Sequence, residues 1–118
     1  MRFYTLIGQT VTPCSREEWA EMFNDPARRR VLLTRIGPFE VSTVFLGLDH
    51  NFSQQGPPLL FETMTFLTGT RKDYDGNDCD GRWSTWAEAE EAHRRAVRFI
   101  QQEFCGSHEE PVEVDLEE

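Results

Sequence analysis

Residues 41–64, VSTVFLGLDHNFSQQGPPLLFETM, narrow the fold of this chain more than any other stretch. Two runs rich in β-branched and aromatic residues, VSTVFLGL and LLFETM, flank a polar segment that contains Gly and Pro. That pattern specifies two sheet strands joined by a long connection. In the first run Val41, Thr43 and Phe45 share one face, and Val44, Leu46 and Leu48 share the other. Both faces are apolar, which puts the strand inside a sheet and not at its edge. The connection carries Asp49, His50, Asn51, Gln54 and Gln55. A polar loop held by two strands is where a small domain displays the groups it uses for contact or chemistry. These five residues are the first candidate binding residues.

The remaining pattern predicts the order β-α-β-β-β-α. Residues 2–11 alternate as a first strand, which Pro13 is expected to stop. Ser15 with Glu18 three residues on forms a capping box, opening a short helix with Trp19, Met22 and Phe23 on one face. Asn24-Asp25-Pro26 ends it, because Pro disfavours a helical residue before it. Residues 31–36 and 39–48 form a hairpin through Gly37-Pro38, and residues 59–67 return antiparallel beside them. After a polar turn at 73–81, Thr85 and Glu88 make a second capping box. It opens the longest helix, over 86–104, with Trp86, Ala89, His93, Ala96, Val97, Ile100 and Phe104 as its buried stripe and Gly106 as its cap. The architecture is therefore two-layer α+β: a mainly antiparallel sheet of about four strands, one long C-terminal helix and a shorter N-terminal helix.

With 118 residues, 38% of them apolar, the chain makes one domain over 1–106, followed by an acidic tail at 107–118 that is expected to be flexible. Cys14, Cys79 and Cys105 are odd in number and lack C-x-x-C spacing, and no apolar leader begins the chain. Together these point to a reduced, intracellular protein. No apolar run approaches the roughly 20 residues of a membrane span, so no membrane partner is expected.

The net charge of −9 is local. The tail holds six of the 21 acids and no base, and Asp73, Asp75, Asp78 and Asp80 crowd one loop. Those four aspartates join the candidate binding residues. Read as a calcium loop from Asp73, that segment supplies Asp73, Asp75 and Asn77 but has Asp78 where Gly is needed and Ser84 where a bidentate Glu is needed. A solvated turn fits it better. Trp83, beside this loop and just outside the helix, is a candidate contact residue. The basic cluster Arg28-Arg29-Arg30 complements the end of the first helix. Without interleaved aromatics, and in a negative chain, it does not suit direct nucleic-acid binding.

Catalytic signals are weak. Asp49 could orient His50 as a general base, but neighbours in an extended chain point to opposite faces, so the pair needs a turn to cooperate. Ser42, Thr43 and Ser53 lie nearby without a G-x-S-x-G elbow. His93, on the apolar stripe, suits a core histidine with one hydrogen-bond partner better than a metal ligand, although it could meet His50 across the sheet. His108 is expected to be solvated. No cysteine has the basic neighbours of a reactive thiol. No metal and no cofactor is expected.

VSTVFLGLDHNF, GPPLLFETM and RWSTWAEAEEAHRRAV together resemble a group of small proteins encoded by bacteriophages and prophages. The resemblance covers about residues 35–97 and rests on 41–49, His50, Phe52, 57–64, Ser84, Thr85, Trp86, Glu88, Ala89 and His93. Ala92 departs from it, where the group more often has Gly, and so does the acidic tail. The resemblance implies a phage or mobile-element origin, hence the cytoplasm of a host bacterium, and no particular activity. Eleven Arg against one Lys suits a GC-rich genome. Such proteins often work by occupying a host protein, and some block defence systems such as CRISPR–Cas. The expected function is a non-enzymatic accessory protein acting by protein–protein interaction as an inhibitor of a host factor. A basic, nucleic-acid-binding partner would suit the acidic loop and tail. The alternatives are a small hydrolase-like or metal-assisted enzyme centred on Asp49 and His50 with His93, and a homodimer marked by an apolar patch on an open sheet face.

Overall fold

The computed structural model describes residues 2–53, 55–67, 80–105 and 110–114. Gln54, Asp73, Asp75, Asp78, Cys79, Gly106 and His108 lie outside the described residues, so the candidate roles given to them have no structural counterpart here.

The first segment is a hairpin and not one strand: β1 (Phe3–Ile7) and β2 (Thr10–Cys14) pair as a two-stranded antiparallel sheet. Gly8 at φ 64° makes the break, since a two-residue hairpin turn needs positive φ. Pro13 does not stop the strand; it lies in β2 opposite Tyr4. A two-stranded ribbon leaves one side of each strand free, where the missing N–H of proline removes no ladder bond.

α1 (Arg16–Phe23) starts at the Ser15/Glu18 capping box, with both reciprocal bonds formed. Those bonds from Ser15 hold the Glu18 carboxyl below its ordinary range. Asp25 then caps one further turn, α2 (Pro26–Arg29), which contains Arg28 and Arg29 of the basic cluster. The Arg29 guanidinium lies 4.3 Å from the Phe23 ring centroid, so part of that cluster is used in packing.

The main sheet has five antiparallel strands in the order β6-β5-β4-β3-β7: β3 (Arg30–Ile36), β4 (Phe39–Phe45), β5 (Phe61–Leu67), β6 (Gly81–Trp83) and β7 (Val112–Glu113). β4 is central, as expected, but not through two apolar faces: Leu46 and Leu48 lie beyond it, and its second face carries Glu40, Ser42 and Val44. Both edges are short strands, which limits the exposed row of backbone groups on the long strands within. Part of the acidic tail supplies one of them. β7 pairs Thr34 with Glu113 and Arg35 with Val112, and the Val114 N–H donates to the Leu33 carbonyl at 2.8 Å.

α3 (Trp86–Ile100) begins at the Thr85/Glu88 capping box and crosses one face of this sheet. Beyond Ile100 it continues as a π-helical turn, Gln101–Cys105. Ala89, Ala92, His93, Ala96 and Ile100 are buried beneath it. One end of the core is Met22, Phe45, Leu60, Phe61 and Ala89, with Trp19, Trp83 and Trp86 packed around it; the other is Ile36, Phe39, Val41, Ala96 and Ile100. The opposite sheet face mixes half-buried Val44, Met64 and Phe66 with two ion pairs, Arg35–Glu40 at 3.0 Å and Arg82–Glu62 at 3.1 Å. No helix among the described residues is long and apolar enough to cross a membrane.

Candidate functional site

The chain leaves the sheet after Phe45 and crosses to β1. The Tyr4 N–H donates to the Gly47 carbonyl at 2.9 Å, and Phe3 bridges Leu48. Gly47, at φ 74°, permits this crossing: a Cβ there would stand 2.6 Å from the Trp19 ring and 2.9 Å from the Tyr4 carbonyl oxygen. The Trp19 indole N–H donates to the Leu46 carbonyl at 3.1 Å, fixing α1 to the start of the loop.

Asp49 and His50 then take separate partners. Asp49 Oδ1 accepts the backbone N–H groups of Asn51 at 2.8 Å and Leu59 at 2.9 Å, closing the loop across its neck. His50 Nδ1 donates to the Leu48 carbonyl at 2.8 Å, and its backbone N–H donates to the Leu59 carbonyl at 2.9 Å. With Nδ1–H committed, Nε2 is the acceptor nitrogen of the neutral ring. The two side chains thus bond to different backbone groups of the loop and not to each other.

Asn51 holds the far end. Its Nδ2 donates to the carbonyls of Gln55 at 2.5 Å and Pro57 at 3.0 Å, while its Oδ1 accepts from the Ser53 hydroxyl at 2.5 Å. Gln55 takes part through its backbone carbonyl. Phe52, between these anchors, is 77% exposed, and its ring centroid lies 5.9 Å from that of His50. On the other side of the loop, Arg2, Tyr4, Asp49, Asn51, Gly56 and Pro58 line a polar cleft of about 390 Å³.

His93 is elsewhere. Its Nε2 lies 2.8 Å from Thr34 Oγ1 and its Nδ1 lies 2.7 Å from Thr43 Oγ1. Thr43 Oγ1 is 2.8 Å from Thr63 Oγ1, which accepts the Trp83 indole N–H at 3.0 Å. A buried polar chain thus runs Trp83–Thr63–Thr43–His93–Thr34, across β6, β5, β4, α3 and β3. One set of donors links all of it: Thr63 donates to Thr43, Thr43 donates to His93 Nδ1, and His93 Nε2–H donates to Thr34. The expected single hydrogen-bond partner is therefore two, and neither is His50. Burial, with a smaller contribution from Arg94, lowers the His93 pKa to about 4, so the ring is neutral near pH 7. Thr43 and His93 have the spacing of a nucleophile and its base. Thr43, at 0% exposure, offers a substrate no approach, although the His93 ring borders a cavity on the α3 side.

Trp83, expected as a contact residue, is half-buried and committed to Thr63. Asp80 Oδ1 accepts the Thr65 N–H at 3.0 Å, extending the sheet edge beyond Gly81. Among the described residues no group of three His, Cys, Asp or Glu side chains could hold a metal ion. Burial, then Glu18, raises the Cys14 pKa, away from a reactive thiolate. Sequence reasoning missed the threonine partners of His93. Their signal was present: Thr34, Thr43 and Thr63 occupy inward positions where an apolar residue would otherwise be expected. No protein-family model, no curated protein and no solved structure matches this chain.

Proposed function

We propose that this protein works by contact and not by catalysis: a non-enzymatic accessory protein of phage or mobile-element origin that binds a host protein and inhibits it. The observation that carries this is Phe52, 77% exposed at the tip of a loop locked by Asp49, Asn51 and Ser53. An aromatic side chain held in the open on a braced backbone loses little conformational freedom on binding, which is the character of an interface anchor. A net charge of −9 favours a basic partner, a nucleic-acid-binding host protein among them. The hydrolase alternative needs the Asp49 carboxylate on the His50 ring, and both groups are bonded elsewhere.

The test is a pull-down with tagged full-length protein from nuclease-treated bacterial lysate, with the Phe52→Ala variant run in parallel. Loss of an anchoring aromatic typically weakens binding by about 2 kcal/mol, roughly 30-fold. One host protein retained by the wild type at moderate salt and depleted in the variant is the expected result. Equal capture by both proteins, or none by either, would refute it and turn attention to ligand and substrate screens on Asp49 and His50.

A further inference from the structure

The geometry points to the outer edge of β3 as a receptor for an extended segment of another protein, a site that residues 110–114 occupy in the free chain. β4 pairs with the inner edge of β3 over its length. On the outer edge the described ladder is brief: Thr34 opposite Glu113, Arg35 opposite Val112, and the Val114 N–H on the Leu33 carbonyl. A sheet edge recognises an added strand through its backbone, and pockets for alternate side chains supply the selectivity.

Such a pocket is present. Thr34, Arg94, Val97, Arg98, Pro111 and Glu113 line a cavity of about 440 Å³ between α3 and β7. Pro111 and Glu113 both line it, while all three of residues 111–113 stay exposed to solvent. The chain's own segment thus brings a proline ring and a glutamate to a wide, solvent-open space. β7 is two exposed residues long, so little buried surface holds this segment in place. Arg94 and Arg98 reach their nearest carboxylates, Glu90 and Glu91, only at 3.9 and 3.7 Å in exposed pairs, which compete weakly with an incoming acid.

The partner's chemistry follows from the lining. It is an extended segment with an acidic residue in the place of Glu113, near Arg94 and Arg98. Two residues earlier, in the place of Pro111, it carries a larger apolar side chain that fills the space beside Val97. The native segment is tethered, so it competes at a high effective concentration, and the receptor is engaged only by a segment that fits better. This inference rests on the contact function but uses a different surface from Phe52, so each can fail without the other.

Fluorescent peptides with the sequence of residues 108–118 test it by anisotropy: the native form, one with Pro111→Phe and one with Pro111→Phe plus Glu113→Lys. Each is titrated into full-length wild type and full-length Val114→Pro, which lacks the N–H that Leu33 accepts and so releases its own segment. Full-length Glu113→Lys is a second way to release it. The Pro111→Phe peptide is expected to bind both released proteins at least tenfold tighter than wild type, and tighter than the native peptide does. Adding Glu113→Lys to the peptide, or Arg94→Glu and Arg98→Glu to the Val114→Pro protein, should remove at least tenfold of that affinity. Phe52→Ala should leave it unchanged. Equal binding to wild type and released proteins, or indifference to the peptide's charge, would overturn the inference. A wild-type dimer that Val114→Pro dissociates would also overturn it, since the occupant would then be a second copy of this chain.

Discussion

Lowering the pH tests the buried polar chain most directly. In the folded protein the His93 pKa is about 4, depressed by burial, against an ordinary value of 6.5 in the unfolded chain. Above pH 6.5 the ring is neutral in both states and contributes nothing to the pH dependence. Below it the unfolded chain takes up a proton that the folded protein refuses, so stability falls as pH drops from 6.5 toward 4 and then levels off. At about 1.36 kcal/mol per pKa unit, the full loss is on the order of 3 kcal/mol, most of it reached by pH 4.5. Many carboxylates titrate in the same range, so the quantity to measure is a difference. Urea unfolding followed by tryptophan fluorescence at pH 7.5 and 4.5, for wild type and His93→Gln, cancels the shared terms. The variant should be the less stable at pH 7.5, because glutamine cannot satisfy Thr34 and Thr43 in the same geometry. The gap should narrow by roughly 2–3 kcal/mol at pH 4.5. A gap that stays constant within half a kcal/mol, or an NMR titration placing the His93 ring above pH 6, would refute the reasoning.

Three other substitutions test separate parts of the structure. Thr43→Val leaves His93 Nδ1 and the Thr63 hydroxyl short of a partner and should cost about 2–3 kcal/mol. Thr65→Val, at a buried hydroxyl with no partner among the described residues, should be neutral or stabilising, so two chemically identical changes are expected to differ by at least about 2 kcal/mol in urea unfolding. Gly47→Ala forces a methyl into the Trp19 ring at positive φ and should cost about 3 kcal/mol, read as a fall in melting temperature. Asp49→Ala removes the acceptor for two backbone N–H groups at the loop neck. It should speed hydrogen exchange at Asn51 and Leu59 and lower stability by about 2 kcal/mol; unaltered exchange would mean that the carboxylate does not hold the loop.

Features that depend on residues within a few positions of one another were legible in the sequence. The Ser15/Glu18 and Thr85/Glu88 boxes start α1 and α3 where their spacing predicts, because a cap is a contact between residues three apart. Residues 39–48 were legible as a central strand of an antiparallel α+β sheet, and β4 is central, although Leu46 and Leu48, two of the three residues expected on its second apolar face, lie outside the strand. The loop after it was recognisable as polar and strand-bounded. Its internal order was not, because Asp49 and Asn51 read equally well as groups aimed at a ligand or as groups aimed at their own backbone.

Only the tertiary structure decided the rest. Residues 2–14 alternate as well for one long strand as for a hairpin; the pairing of β1 with both β2 and the 46–48 crossing selects the hairpin. The acidic run reads as a solvated tail until β3 offers an edge for Val112 and Glu113. His93 lies 59 residues from Thr34 and 50 from Thr43, so nothing local shows that its two nitrogens are satisfied. The physical reason is the same in each case. Local chemistry sets where an element begins and which face it turns inward, whereas hydrogen-bond partners distant in sequence are chosen only when those faces meet.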